Sequence, residues 1–368
     1  MFYQINKLRC HNVYALILMK AILLLCGSCS GTNTPQNDSF YAKNEKKTEN
    51  FKIQFQNLSI DYFFQVDNKL HCDDMAKLLI IIPTRPSAFK TRMAIRNSWL
   101  KNTSSSVTHR FFIGSTSDES VQKLNQKEFQ NFNDLIISNL HDSYKNISLK
   151  TFAMFQWQQL YCPKVQYVHK ADDDTVIDIP RLQYWIKKNF KQISQFYYEK
   201  VIFGKIWVNI RPSRDPQNKW YVSEKQWKEN VFPDYCSGPN YLLTSKSVNL
   251  LIDEARNHVL NSVEDLLFTG IIAESAGIQR IDKSKIFGVG SEFSSYPECG
   301  KDMVPYLSTI YFDTNVPIED GPNKFDEYSK KLNNLQCLRV SHVLVVCGLV
   351  IIILLLFATV ICLIYTTF

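Results

Sequence analysis

A concentrated basic block is missing from this chain of 368 residues: 42 Lys and Arg stand against 35 Asp and Glu, a net charge of +7 spread along the whole length. Nucleic-acid binders gather positive charge on one run or face, so that class has no support. Glycine and proline are sparse, at 12 and 13, which excludes collagen-like and linker-dominated architectures. There is no P-loop of the GxxxxGKS or GxxxxGKT form, no HExxH, no GxSxG and no close His/Cys cluster, and the 7 histidines are scattered. Readings as an ATPase, a zinc hydrolase or a serine hydrolase therefore fail. No internal repeat is visible. What is present is a 45% hydrophobic chain with 24 Phe, 18 Tyr and 6 Trp, enough to bury a sizeable core in one large domain or two ordinary ones.

The two ends differ from the middle. From Val343 to Ile364 the chain reads VLVVCGLVIIILLLFATVICLI without a charge, about the ~20 residues that cross a bilayer. A membrane helix is expected over 340–365, preceded by a juxtamembrane linker over 316–339. Arg339 lies just before it and no Lys or Arg follows, which argues mildly against a lumenal body on that side. A lipid-anchor signal is the alternative, although this tail is longer than most. At the other end Lys7 and Arg9 precede an apolar stretch, Val13 to Cys26, interrupted by Lys20 and followed by Gly27-Ser28-Cys29-Ser30. This order fits a signal peptide or an uncleaved signal-anchor over 1–30. Residues 31–75 are rich in Asn, Lys, Gln and Ser and read as a solvated stem.

Asn37, Asn57, Asn102 and Asn146 each open an N-glycosylation pattern, each weak alone. Between the ends the cysteines are Cys72, Cys162, Cys236, Cys299 and Cys337. Four of them allow three pairings in an oxidising compartment, and none are close enough for a zinc knuckle. Cys26-Gly-Ser-Cys29 has redox spacing but falls in the signal region.

The middle alternates strands and helices. Leu78 to Ile82 is continuously apolar and closed by Pro83, as suits a strand buried on both faces. Further strands are expected at Arg110–Gly114, Asp134–Ile137, Val165–Val168, Val201–Trp207 and Tyr241–Thr244. Helices are expected through Met93 to Trp99 and at Ser148–Leu160, Ser247–Arg256 and Glu264–Ala276. This order predicts an α/β domain over 76–315 with a mostly parallel central sheet flanked by helices.

Four segments could carry chemistry. Asp172-Asp173-Asp174 follows an apolar strand, where open α/β sheets bind ligands. In extended chain Asp172 and Asp174 point to one side and could share a divalent ion; the bland reading is an acidic turn capping the helix near Pro180. A calcium EF-hand fails, because the sixth loop position is not Gly and Gln183 occupies the twelfth. Glu264-Asp265 opens an amphipathic helix, where acids are favoured by the dipole or serve as a general base. Phe232 to Tyr241, with Tyr235, Cys236 and Gly238, forms a shaped loop that is either a wall of a sugar-sized cleft or a disulfide-pinned turn. Arg92 and Arg96, four apart, could face one diphosphate or lie on an ordinary surface.

Taken in order, Arg92-Met-Ala-Ile-Arg96-Asn-Ser-Trp99, Phe111-Phe-Ile-Gly114, Asp142-Ser-Tyr144 to Thr151, Lys170-Ala-Asp-Asp-Asp174, Lys219-Trp-Tyr-Val222, Tyr235-Cys-Ser-Gly238 and Glu264-Asp265 to Gly270 resemble the β-1,3-galactosyltransferase family and its β-1,3-N-acetylglucosaminyltransferase relatives. The resemblance spans roughly Lys77 to Ile281. It implies a metal-dependent nucleotide-sugar glycosyltransferase fold of the GT-A type, with a UDP-sugar donor, a glycan acceptor on glycoprotein or glycolipid, and Mn2+ as cofactor. On this basis Asp172 and Asp174 are metal ligands, with Asp174 the direct one. Lys170, Asp173, Arg92 and Arg96 bind the nucleotide-sugar, and Trp220, Tyr235 and Gly238 line the acceptor cleft. Asp265 is the catalytic base with Glu264 beside it. The family also implies the disulfides Cys72–Cys162 and Cys236–Cys299, a Golgi membrane location and a lumenal catalytic domain. Galactose is the expected donor sugar, with N-acetylglucosamine transfer or a non-catalytic glycan-binding relative as alternatives. The chain departs from its relatives at Pro239-Asn240, where further glycines are usual, at Leu266 in place of Val, and in a clean apolar span that is C-terminal rather than N-terminal.

Overall fold

The apolar run at Leu78 becomes an inner strand of a nine-stranded sheet. The structure is a computed structural model. It describes residues 49–65, 71–101, 103–288, 290, 294, 297–312, 321–338 and 340–367, with backbone only at 321–323, 340–345 and 362–367. The strands are β1 (Asn50–Phe55), β2 (Leu58–Gln65), β3 (Leu78–Pro83), β4 (Val107–Ser115), β5 (Leu135–His141), β6 (Tyr167–Ala171), β7 (Thr175–Ile177), β8 (Val201–Gly204), β9 (Ile206–Trp207), β10 (Tyr235–Cys236), β11 (Asn240–Thr244), β12 (Gln279–Asp282) and β13 (Thr309–Tyr311). The large sheet runs β1-β2-β5-β4-β3-β6-β11-β8-β12, and β9·β10 and β7·β13 form small two-stranded ribbons. Its centre, β5-β4-β3-β6, is parallel. Around that centre β2, β11 and β8 join antiparallel, so the sheet is mixed at its flanks. The α/β architecture of the GT-A type is thus present.

Period-two geometry explains why β3 has no polar alternation. Leu79 and Ile81 enter one core with Phe112, Ile136 and Val168, while Leu78, Ile80 and Ile82 enter a second core with Phe111, Ile113 and Leu135. The helix Ile147–Tyr161, the helix Ser245–Ala255 and the segment Leu266–Ile272 cover the first face. Helices Phe89–Asn97, Ile179–Trp185 and Gly321–Asn333 cover the second. A small third core of Val222, Phe232 and Leu266, with Trp227 and Tyr235 against it, supports the excursion between β9 and β10.

Two segments and one disulfide differ from the sequence reading. Residues 50–65, placed in a solvated stem, form the β1–β2 hairpin. Phe51, Ile53, Phe55, Tyr62 and Phe64 alternate with polar residues and are buried against the first core. The segment read as a juxtamembrane linker carries the helix Gly321–Asn333, whose Phe325 and Leu332 are buried, followed by buried Leu335. Arg181 donates to the Leu332 carbonyl at 3.0 Å, which ties that helix to the body. The disulfides are Cys72–Cys162, as expected, and Cys299–Cys337 in place of Cys236–Cys299. Cys236 is a buried free thiol, because its strand β10 pairs with β9 and packs it against Gly204. The last element is the helix Val340–Thr367. Its side chains are described over 346–361, fewer than the ~20 residues of a span, so among the described residues no helix is long and apolar enough to cross a membrane. The signal segment 1–30, the stem up to residue 48, Asn37 and Asn102 lie outside the described residues.

Candidate active site

Strand β6 ends at Ala171 beside the start of β11, and the chain turns there through Asp172-Asp173-Asp174 into β7. Hydrogen bonds hold the turn from both sides: Asp172 N–H and the Thr175 hydroxyl donate to the Pro239 carbonyl at 2.8 and 3.1 Å, and Phe312 N–H donates to the Asp174 carbonyl at 3.1 Å. The helix near Pro180 is capped by Asp178, which accepts from Arg181 N–H at 2.9 Å. The acidic triplet is therefore not that helix's cap. Burial raises the Asp172 carboxyl to about 6 against the pull of Lys170. Burial, then repulsion from Asp172 and Asp173, raises Asp174 to about 8. Asp173 is raised by burial and drawn back by Arg85 and Lys150.

Asp265 stands across from this turn. Its Oδ1 accepts from Leu266 N–H at 2.9 Å. Its Oδ2 lies against Gly238, where a Cβ would come within 2.9 Å. Burial, then the charge of Glu264, lifts the Asp265 carboxyl to about 7, opposed by the Leu266 N–H. A carboxylate so poised near neutral suits general-base work. The chain after it is π-helical over Leu266–Ile272 rather than the expected α-helix. The Thr269 hydroxyl donates to the Asp265 carbonyl at 2.6 Å and accepts from Cys236 N–H at 2.8 Å. A side chain thus enters the backbone ladder, a recognised cause of helix distortion. Gly270 admits Tyr235, since a Cβ there would stand 3.0 Å from Tyr235 Cβ.

Tyr235, half-buried, is raised to about 12 by burial and then by the charge of Asp265. Trp220 is exposed at 58% on the β9–β10 excursion, which Arg214 holds by donating to the carbonyls of Val222 and Trp227, each at 2.8 Å. Lys219 Nζ lies 5.6 Å from the Trp220 ring centroid and 4.9 Å from that of Tyr144. Tyr144 is raised by burial and then by the charges of Asp265 and Asp172. Tyr144 stands in a segment that carries the family resemblance, but its local sequence shows no sign of a site role. Gly238 thus touches Asp265, while Trp220 and Tyr144 share Lys219 between their rings.

Other expected site residues are engaged elsewhere. Arg92 is fully buried: it donates to Glu128 at 2.5 Å, to Asn125 at 3.1 Å and to the carbonyls of Arg85 and Pro86. Arg96 pairs with Glu128 at 2.8 Å and Asp134 at 2.7 Å, with its guanidinium over Phe111 and Phe132. Both arginines spend their donors inside the protein, so neither is open to a diphosphate. Lys170 is likewise buried and paired with Asp172 and Glu264. Glu264 receives the Tyr241 hydroxyl at 2.5 Å, so it is not the free acid a second base requires. Asn57 is exposed in the β1–β2 turn. At Asn146 the pattern's Ser148 is buried and donates to the Asn261 carbonyl at 2.6 Å.

A family model described as Galactosyltransferase matches residues 90–284, more than half of the chain. The chain is similar to Beta-1,3-galactosyltransferase 1 of Homo sapiens and of Mus musculus, 26% identical over 230 residues, covering 61% of this chain and 68% of each relative. It is also similar to Beta-1,3-galactosyltransferase 4 of Mus musculus, 28% identical over 236 residues, covering 57% of this chain and 63% of that relative. The matched residues contain the acidic turn, Gly238 and Asp265, and on this sequence match, set on the sheet and site described above, the chain belongs to the galactosyltransferase family of glycosyltransferases.

Proposed function

We propose that this chain is an inverting β-1,3-galactosyltransferase that moves galactose from UDP-galactose to a glycan hydroxyl on glycoprotein or glycolipid. The observation that carries the reading is Asp265, whose Oδ2 lies against Gly238 in the loop that also holds the acidic turn, its carboxyl raised toward neutrality by burial and Glu264. The acceptor hydroxyl oxygen attacks the anomeric carbon from the face opposite the diphosphate. That carbon's bond to the UDP oxygen breaks as the new bond forms, and the hydroxyl proton passes to Asp265 Oδ2. General-base assistance of this kind is worth roughly 10²–10⁴-fold. One displacement inverts the centre, so no covalent nucleophile is required. Trp220 and Tyr144 offer ring faces against which a sugar can stack.

Manganese fits the residues present. Asp174 Oδ1 is buried with no hydrogen-bond partner, a costly state that a cation would relieve. Among the described residues no group of three His, Cys, Asp or Glu side chains is set to hold an ion alone. Asp172 and Asp174 would therefore share it with phosphate oxygens and water, as hard ions commonly are. When bound, such an ion supplies positive charge to the departing diphosphate. The disulfides, which persist in oxidising compartments, support a place in the secretory pathway, for which a Golgi membrane is the proposed location.

The test uses the detergent-solubilised full chain with manganese. UDP-galactose and UDP-N-acetylglucosamine are each offered with phenyl β-glycosides of N-acetylglucosamine, N-acetylgalactosamine and galactose. Transfer from UDP-galactose into a new β-1,3 linkage, read by NMR, is expected. Transfer from UDP-N-acetylglucosamine alone would replace the donor assignment, and saccharide binding without any turnover would replace the enzyme reading.

A further inference from the structure

Lys170 and Tyr241 are register partners on adjacent strands β6 and β11, so their side chains leave the same face of the sheet. Both are fully buried. The Lys170 ammonium lies 2.6 Å from Asp172 Oδ1, 2.7 Å from the Gly238 carbonyl and 3.3 Å from Glu264 Oε2. Three donors meet three acceptors, which exhausts the hydrogen-bonding capacity of a lysine. Its charge also stands 5.5 Å from the Tyr241 ring centroid, and the Tyr241 hydroxyl donates to the other oxygen of Glu264 at 2.5 Å. One buried cation therefore joins three segments far apart in sequence: the acidic turn, the loop before β11 and the residue preceding Asp265.

We infer that Lys170, Tyr241 and Glu264 act together as a positioning clasp that fixes the separation between the acidic turn and Asp265, and that none of the three touches the substrates. The inference rests on the transferase reading above and assigns roles that reading leaves open. Its logic is geometric. Glu264 is held at both oxygens, so the backbone that leads into Asp265 is fixed. Asp265 is also pressed on Gly238, whose carbonyl Lys170 holds from the other side. Reacting groups displaced by about 1 Å can cost 10²-fold in rate, so loosening the clasp should lower turnover more than donor affinity.

Tyr241→Phe removes the hydroxyl and keeps the ring, and Glu264→Gln keeps an acceptor for Tyr241 while removing the charge that faces Lys170. In the full chain, each variant is expected to lower kcat about 10-fold or more while the KM for UDP-galactose and the Kd for UDP stay within about 2-fold. A clasp holding the site rather than the fold also leaves Tm close to wild type in at least Tyr241→Phe. Wild-type kcat in both variants would overturn the clasp. So would an equal loss of kcat and UDP affinity, because the residues would then serve donor binding. A wild-type chain inactive with every UDP-sugar overturns the transferase reading itself, and the clasp with it.

Discussion

Gly238→Ala puts the geometry of the base under direct strain. The added Cβ would stand 2.9 Å from Asp265 Oδ2 and 3.3 Å from its Cγ, where ordinary contact begins near 3.4 Å. The carboxylate must retreat by roughly 0.5 Å, and Oδ1 is tied to Leu266 N–H. Overpacking of this kind costs about 1–3 kcal/mol. Since about 1 Å of misplacement is worth 10²-fold, kcat should fall about 10-fold with KM for the donor nearly unchanged. Steady-state transfer from UDP-galactose and thermal melting are measured side by side with Gly277→Ala. Gly277 has φ +65° and no neighbour for a Cβ, so alanine there carries a comparable backbone cost of roughly 1–2 kcal/mol without touching the site. The expected result is two variants of similar Tm, of which only Gly238→Ala is slow. If both retain full kcat, or both lose it in proportion to stability, the close contact with Asp265 does not govern catalysis.

The raised Asp265 carboxyl sets a pH dependence. A base must be ionised, so kcat/KM should rise as pH climbs through about 7 and flatten above it; a profile already flat at pH 5 would contradict the assignment. Arg92→Gln should destabilise by roughly 1.5–3 kcal/mol, since Glu128 keeps Arg96 but loses the bonds from Arg92, seen as a lower denaturation midpoint. The folded fraction should keep its affinity for UDP, whereas an anion-binding role predicts the reverse. Cys337→Ser opens a link across 38 residues, worth about 4 kcal/mol by loop entropy, while Cys236→Ser breaks no link. A reducing-agent mobility shift should thus be altered only by the first.

Much of the scaffold was readable because its signals are local. Leu78 to Ile82 has no polar residue in either period, so it can only be buried on both faces, and Asp172 to Asp174 follows a strand end where such sheets bind ligands. The β1–β2 hairpin was missed because its apolar residues alternate with Asn, Lys and Gln, and the bulk composition looked solvated. Spacing lets Arg92 and Arg96 face one anion, and the resemblance assigns Lys170 to the nucleotide-sugar. The carboxylates that engage them, Glu128, Asp134 and Glu264, lie far along the chain, and only Asp172 is close to Lys170 in sequence. Spacing shows that two charges share a face; it does not show what already neutralises them. The same limit applies to Cys337, whose pairing with Cys299 depends on the helix Gly321–Asn333 folding back onto the body. Tyr144 lies in a segment that carries the resemblance, yet the effect of Asp265 and Asp172 on its phenol depends on tertiary placement.

The sharpest measurement compares transfer with binding in Asp265→Asn. The amide keeps the size of the side chain and an acceptor for Leu266 N–H, and removes only the capacity to take a proton. Galactose transfer by the full chain should drop by roughly 10²–10⁴-fold, with the Kd for UDP measured by calorimetry unchanged. Transfer at the wild-type rate would show that the proton goes elsewhere and that Asp265 is not the base.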